Sequence, residues 1–286
     1  MFGKTRHAWY DHLWRETEAS LKEEIILQEV KELRKQVSRI GTRKLHFMLQ
    51  QRLACHDISI GRDYLFDLLR DHHLLVRQRK RKAYTTDSRH WMRKYDNLIT
   101  GLSLNHPEQL WVSDITYIRL NNQWGYLSLI TDAFSRKIMG YGFRTDLSVE
   151  GCLEALKMAM ENRIYPCQPL IHHSDRGSQY CSQGYTGLLI KNNIAISMTQ
   201  NGDPYENALA ERVNGIIKTE FNLNDSNKGF QETKQKIHLA IEAYNTIRPH
   251  ASCNYLTPDQ AHKTKGKLTK KWKNYPYNRN NLNGNV

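Results

Sequence analysis

The sequence predicts an α/β fold built on a mixed sheet and preceded by an all-α segment, and three observations lead there. Apolar residues recur at helical spacing up to residue 76, β-rich runs begin abruptly at residue 110, and later runs alternate with helical patterns. At 286 residues the length suits one or two domains with short extensions. Only 39% of the residues are hydrophobic, so the core is confined to part of the chain.

The helical part comes first. Residues 16–38 place Ile26, Val30, Leu33 and Val37 on one face with mixed charges elsewhere, which describes a surface helix. Gly41 punctuates. Leu45, Met48, Leu49 and Leu53 then follow at helical spacing, and after the polar break CHDIS so do Ile60, Tyr64, Leu65, Leu68 and Leu69. Two short helices separated by about five residues suit a helix-turn-helix. Arg77, Arg79, Lys80, Arg81 and Lys82 come next, a density of charge that repels itself unless phosphates or solvent neutralise it, and they read as a strap along a DNA backbone.

From residue 110 the pattern changes. LWVSDITYIRL, WGYLSLITDAF and RKIMGYGFRT are rich in Ile, Tyr, Trp, Val and Thr, and their connections are too short for crossovers, so they form an antiparallel meander. SVEGCLEALKMAMENR reads as a helix with Ser148 as N-cap. PLIHHSD is a short buried strand, SQYCSQGYTGLLIKNN a helix, IAISM a strand and ENALAERVNGIIKTEF a strong helix. The order βββαβαβα is that of a ribonuclease H-like mixed sheet with helices on both faces, although order alone leaves other α/β folds open. The expected divisions are an N-terminal helix over 1–40, a helix-turn-helix over 41–76, a basic linker over 77–107, a catalytic core over 108–225, and a C-terminal helix with a basic tail over 226–286.

Charge follows the same divisions. Lys and Arg number 42 against 29 Asp and Glu, a net charge of +13. Residues 1–105 carry 21 basic and 13 acidic side chains, 106–225 carry 10 and 13, and 226–286 carry 11 and 3. Two basic arms thus flank a slightly acidic centre, as expected when the arms hold a polyanion and the centre holds cations. No run approaches the roughly 18 consecutive apolar residues of a membrane helix, and MFGKTRHAWYDHLW has no apolar signal core, so a soluble, unexported, cytoplasmic chain is expected. Five scattered cysteines (Cys55, Cys152, Cys167, Cys181, Cys253) without a Cys-x-x-Cys pair support neither a disulfide framework nor a zinc ribbon.

Three carboxylates stand where this fold would gather them. Asp114 lies inside the first strand, between Val112 and Thr116 on one pleat face, where an ionised group is strongly disfavoured unless paired or metal-bound. Asp175 ends the fourth strand, and Glu211 lies on the helix after the fifth. Asn207, Glu211, Asn214 and Lys218 share a polar helix face, and Lys218 returns to within about 20° of Glu211. Oxygen ligands without His or Cys at ligand spacing favour Mg²⁺ or Mn²⁺ over zinc. His172 and His173 point to opposite faces of their strand, so they do not readily share one ion.

Asp175 and Glu211 enclose 35 residues, with a Lys seven beyond the Glu, which resembles the D,D(35)E signature of the retroviral integrases and insertion-sequence transposases. WVSDITYI, TDAFSRKIMGY, HHSDRGSQY, SMTQNGDPYENALAERVNGIIKTE and YNTIRPHASCNYLTP are similar to OrfB-type transposases over about 110–260, and residues 41–74 resemble that family's helix-turn-helix. Glu206 stands where the family more often has Asp, and Arg212 where Ser is common. Asp203 and Glu206 are rival carboxylates, but only Glu211 gives the 35-residue interval.

The resemblance implies a DNA transposase that performs metal-dependent 3′-end cleavage and strand transfer of an insertion sequence. Asp114, Asp175 and Glu211 would hold two Mg²⁺ or Mn²⁺ ions. Lys218, Ser178, Gln179 and Asn207 would position DNA, as would Arg77, Arg79, Lys80, Arg81 and Lys82 in the strap. Tyr244, Asn245, Arg248 and His250 would brace the core or touch DNA, and the tail with Trp272 and Tyr275 among lysines would follow the backbone. The implied partners are double-stranded DNA at the element ends and target, further copies of the chain, and an OrfA-type protein or fusion, with the assembly at the bacterial nucleoid. The alternatives are a degenerate copy acting as a DNA-binding repressor, and a structure-selective nuclease on the same fold.

Overall fold

The computed structural model describes residues 6–76, 91–121, 123–200, 207–223 and 228–269. The basic strap Arg77, Arg79, Lys80, Arg81 and Lys82, the rival carboxylates Asp203 and Glu206, and the tail with Trp272 and Tyr275 lie outside the described residues. No helix among the described residues is long and apolar enough to cross a membrane.

β1 (Leu110–Arg119), β2 (Trp124–Asp132) and β3 (Ile138–Arg144) form the antiparallel meander that their short connections require. α4 (Val149–Glu161) then carries the chain across the sheet, so that β4 (Leu170–Ser174) pairs with β1 in parallel and β5 (Ile194–Met198) pairs with β4 in parallel. The strand order is β3-β2-β1-β4-β5, with β1 at the centre. Ser148 occupies the N-cap position of α4, but its side chain makes no cap hydrogen bond.

The helix expected over 178–193 is two helices, α5 (Ser178–Cys181) and α6 (Gln183–Lys191). Ser182 breaks them. Its backbone is extended, and its hydroxyl accepts the Tyr185 N–H, the local competition by which serine starts a helix rather than continues one.

One face of the sheet packs Trp111, Ile130 and Met139 against α4, α5 and α6. Here β3 meets α4 backbone to backbone. A Cβ on Gly140 would sit 2.1 Å from the Ala155 carbonyl oxygen, and one on Gly142 the same distance from that of Gly151. The opposite face packs Ile118, Leu127 and Leu129 under α7 (Ala208–Glu220) and α8 (Phe230–Thr246).

α1 (Arg6–Gln36) begins ten residues before the helical segment expected from residue 16, and twenty before its apolar stripe opens at Ile26. Residues 9–21 expose Trp9 (58%), Trp14 (75%) and Leu21 to solvent, whereas Ile26, Val30, Leu33 and Val37 are buried as their spacing predicts. They pack with α2 (Thr42–Ala54) and α3 (Arg62–Asp71), and the same apolar cluster runs on into Val213 and Ile217 of α7 and Ile241 of α8. The N-terminal helices and the sheet therefore share one continuous core.

Polar contacts reinforce the seam. Glu220, the last residue of α7, accepts from the Arg39 N–H (2.8 Å) and the Ser38 hydroxyl (3.0 Å) at its carbonyl. Its carboxylate accepts from Lys44 (2.9 Å) and from two nitrogens of buried Arg248 (2.7 Å each). Tyr244 donates to the Arg136 carbonyl, Asn245 both accepts from and donates to the Ile138 backbone, and His250 accepts from Arg248. The YNTIRPH residues are braces. The arm beyond them docks through His262, which follows α9 (Pro258–Ala261) and contacts the wholly buried carboxylate of Glu108. Burial alone would raise Glu108, yet hydrogen bonds from His262, the Ile164 N–H, Arg163 and the Tyr165 N–H hold it at about 2.

The β3–α4 contact leaves no room for a methyl group. Gly142→Ala is expected to cost about 3 kcal/mol or more, because backbone atoms must move, and to lower the melting temperature by about 6–12 °C. Gly184→Ala, with nothing within 4 Å, is the control and should be neutral or stabilising in thermal melts.

Candidate active site

The site is built where α7 lies along β1. Successive strand side chains alternate in direction, so Val112, Asp114, Thr116 and Ile118 share a face. Three polar side chains, two on α7 and one at its N-cap, are fastened to this strand. Asn207 donates to the Ser113 carbonyl (3.0 Å), Asn214 to Asp114 Oδ2 (2.8 Å) and Lys218 Nζ to Thr116 Oγ1 (3.1 Å). The polar face read from the helical period is thus turned to β1, while Val213 and Ile217 enter the core. Glu211 lies between Asn207 and Asn214, about one turn from each, and is exposed.

Asp175 arrives from the neighbouring strand. β1 and β4 pair Leu110 with Ile171, Trp111 with His172 and Val112 with His173. Two residues further along, the same register carries Asp175, just past the end of β4, alongside Asp114. Its Oδ1 accepts the Gly177 N–H at 3.0 Å.

The electrostatics follow from this placement. Asp114 is pushed up to about 7, first by burial and then by the Asp175 charge, with Glu211 adding to the repulsion. Hydrogen bonds from Asn214 and the Ile115 N–H act the other way. Burial also raises the Tyr117 and Tyr180 hydroxyls, and the charges of Asp114 and Asp175 add to both shifts. Burial lowers the Lys218 ammonium, and attraction to Asp114 partly restores it.

Among the described residues, no three His, Cys, Asp or Glu side chains stand already arranged as metal ligands. The donor set nevertheless suits a hard cation. Asp114 is a half-buried carboxylate whose hydrogen-bond partners are neutral, and Asn214 Oδ1 beside it is buried without a hydrogen-bond partner among the described residues. Carboxylate and amide oxygens of this kind fit Mg²⁺ or Mn²⁺.

The other sequence-predicted contacts divide. Gln179 donates to the Leu147 carbonyl (2.9 Å), and Ser178 opens α5. Asn207 is buried and ties the start of α7 to β1, while Lys218 Nζ is held by Thr116. His172 and His173 do face apart. His172 bonds Tyr185 and His173 bonds Ser197, both in the core, and burial lowers His172 to about 3. Asn214 had no assigned role in the sequence, although it fixes the Asp114 carboxylate. Its place on the Glu211 face was the signal.

Residues 105–204 match a family model described as "Integrase core domain", and residues 192–258 match a second of the same description. Transposase InsF for insertion sequence IS3A, from Escherichia coli (strain K12), is 34% identical over 155 residues, 54% of this chain and 54% of that protein. The chain thus aligns with about half the length of this relative. The Insertion element IS600 uncharacterized 31 kDa protein of Shigella sonnei is 31% identical over 266 residues, 90% of this chain and 94% of that one. The chain belongs to the insertion-sequence transposases with an integrase core. Within this integrase core, β1 carries Asp114, Asp175 directly follows β4, and α7 carries Glu211. Similar solved structures include the HTLV-2 integrase catalytic core domain in complex with magnesium, at 22% identity and a TM-score of 0.45 over 55% of this chain and 97% of that one. A simian T-cell lymphotropic virus intasome in complex with a PP2A regulatory subunit is 19% identical, with a TM-score of 0.49 over 82% and 79%.

In metal-free buffer the Asp114 charge opposes folding. Its folded-state value is raised, so its contribution to stability falls as pH rises from about 4 to about 7. Asp114→Asn removes that charge, and a turned Asn214 amide can pair with the new side chain. In EDTA at pH 8 the variant is expected to melt several degrees above the parent, with the gap closing towards pH 4.

Proposed function

We propose that this transposase cleaves the 3′ ends of its insertion sequence and joins them to new DNA, with Asp114, Asp175 and Glu211 as ligands for two divalent ions, Mg²⁺ or Mn²⁺. The observation that carries this reading is the neighbouring placement of Asp114 and Asp175 on β1 and β4, with Glu211 raising Asp114 from α7. Bound ions would supply an activated oxygen nucleophile, a stabilised leaving oxygen and neutralised phosphate charge. The chain's own groups set the stage. Asn214 and the Ile115 N–H orient the Asp114 carboxylate, the Gly177 N–H holds Asp175, and Asn207 and Lys218 clamp α7 to β1 so that Glu211 sits at a fixed height.

In the first step water attacks the phosphodiester at the element end and a 3′-hydroxyl leaves. In the second, that hydroxyl attacks another phosphodiester, at the opposite element end or in target DNA. One bond forms as one breaks, so the joining step needs no ATP. Lys218, Ser178, Gln179 and Asn207 would position the DNA, and the strap from Arg77 to Lys82 would follow the backbone.

Double-stranded DNA is the substrate in this reading, and the working form is a multimer in the cytoplasm at the nucleoid. The exposed aromatic face of α1, with Trp9, Tyr10, Leu13 and Trp14, supports a helical partner, either another copy or an OrfA-type protein.

Purified protein, alone and with an OrfA-type protein, should join element-end duplexes to target DNA in Mg²⁺. Asp114→Asn and Glu211→Gln should each reduce joining on the order of 10³-fold or more, about 4 kcal/mol in the barrier. Retained joining by both variants would refute the assignment.

A further inference from the structure

The catalytic reading leaves a second concentration of charge unused. Four cations from four parts of the chain gather where the N-terminal helices meet the core: Lys44 on α2, Arg136 in the β2–β3 turn, Arg212 on α7 and Arg248 after α8. One carboxylate, Glu220, is bonded among them, and its oxygens are taken up by Arg248 and Lys44. Arg136 has neutral acceptors, the Ala133 carbonyl and the Ser252 hydroxyl, with weaker attraction from Asp132 nearby. Arg212 is exposed and makes no hydrogen bond or ion pair among the described residues.

These cations repel one another. Burial lowers Lys44 first and Arg248 lowers it further, Glu220 pulls it back up, and Arg212 adds a smaller lowering. Arg136 is lowered by burial, Cys253, Tyr244 and Asp132 act the other way, and Arg212 adds a smaller lowering. His250, in the same place, is driven well below its ordinary value by burial and by all four cations, so it stays neutral and adds no charge. A surplus of positive charge held at a seam, with donors left over on Lys44 and Arg212, is complementary to an anion.

We propose that this seam binds a phosphodiester of DNA, contacted by Lys44 and Arg212, with Arg136 and Arg248 as fixed charge behind them. The inference rests on the DNA-joining function proposed above and extends it to a site away from the three carboxylates. Lys44 belongs to the N-terminal helices and Arg212 follows Glu211 on α7, so one bound strand would engage both. A phosphate contact here carries no base information. It sets the register between DNA held by the helices and the bond to be cut.

The test is equilibrium binding of the full chain to a fluorescent element-end duplex and to an unrelated duplex, in EDTA, between 50 and 200 mM salt. Each lost phosphate contact should reduce the slope of log affinity against log salt by about 0.9, so the affinity lost across that range shrinks about 3.5-fold. Arg212→Ser, at an exposed position with no hydrogen bond to lose, should show this equally on both duplexes. Lys44→Gln, which keeps a donor for Glu220, should add a similar decrement. An unchanged slope for Arg212→Ser while the parent binds normally would overturn this site and leave the catalytic reading standing, and so would a loss confined to one duplex. A parent that binds neither duplex would overturn both. Inorganic phosphate at millimolar concentration should compete more weakly against Arg212→Ser than against the parent, and equal competition would count against the site.

Discussion

An ionisable carboxylate at the centre of a sheet is the constraint on which the rest of this structure depends. Asp114 lies on the middle strand, where burial and the charges of Asp175 and Glu211 all oppose its ionisation. A fold selected for stability alone would place a β-branched residue there. Holding the acid instead requires neutral donors of fixed geometry, which Asn214 and the Ile115 N–H provide, and a cation makes the arrangement favourable when it binds. The strain is local and the support is broad, as at a functional site.

That support reaches well beyond the sheet. α7 carries Glu211 near its start and Glu220 at its end, and the two ends do different work. The first is exposed and adds its charge to the repulsion on Asp114. The second is gripped by Lys44, Arg248 and the backbone of Arg39, so the helix that sets the height of Glu211 is also the part most firmly joined to the N-terminal helices. One apolar cluster runs through α1, α2, α3, α7 and α8, so α7 is packed into the same core as the N-terminal helices.

Much of this was legible in the sequence because it is local. IAISM is a strand with the expected limits, and the βββαβαβα order stands except that its second helix is split into α5 and α6. The polar face of α7 followed from the 3.6-residue period. What stayed hidden depends on neighbours distant in the chain. Ser182 divides one expected helix into two through its bond to Tyr185, where apolar periodicity alone ran on. The first turns of α1 are helical without an apolar stripe facing the core, so periodicity could not find them. Asn214 and Glu220 look like ordinary polar positions on a helix until Asp114 and Arg248, 100 and 28 residues away, are brought to them.

The proposal is spatial: one pocket, framed by β1, β4 and α7, would seat the catalytic ions. Anomalous diffraction at the manganese edge, from crystals grown with Mn²⁺ and a short element-end duplex, addresses it most directly. The account requires peaks among the carboxylates of Asp114, Asp175 and Glu211, with two ions about 3.5–4 Å apart. Strong manganese peaks elsewhere on the chain, with that pocket empty and DNA bound, would contradict it.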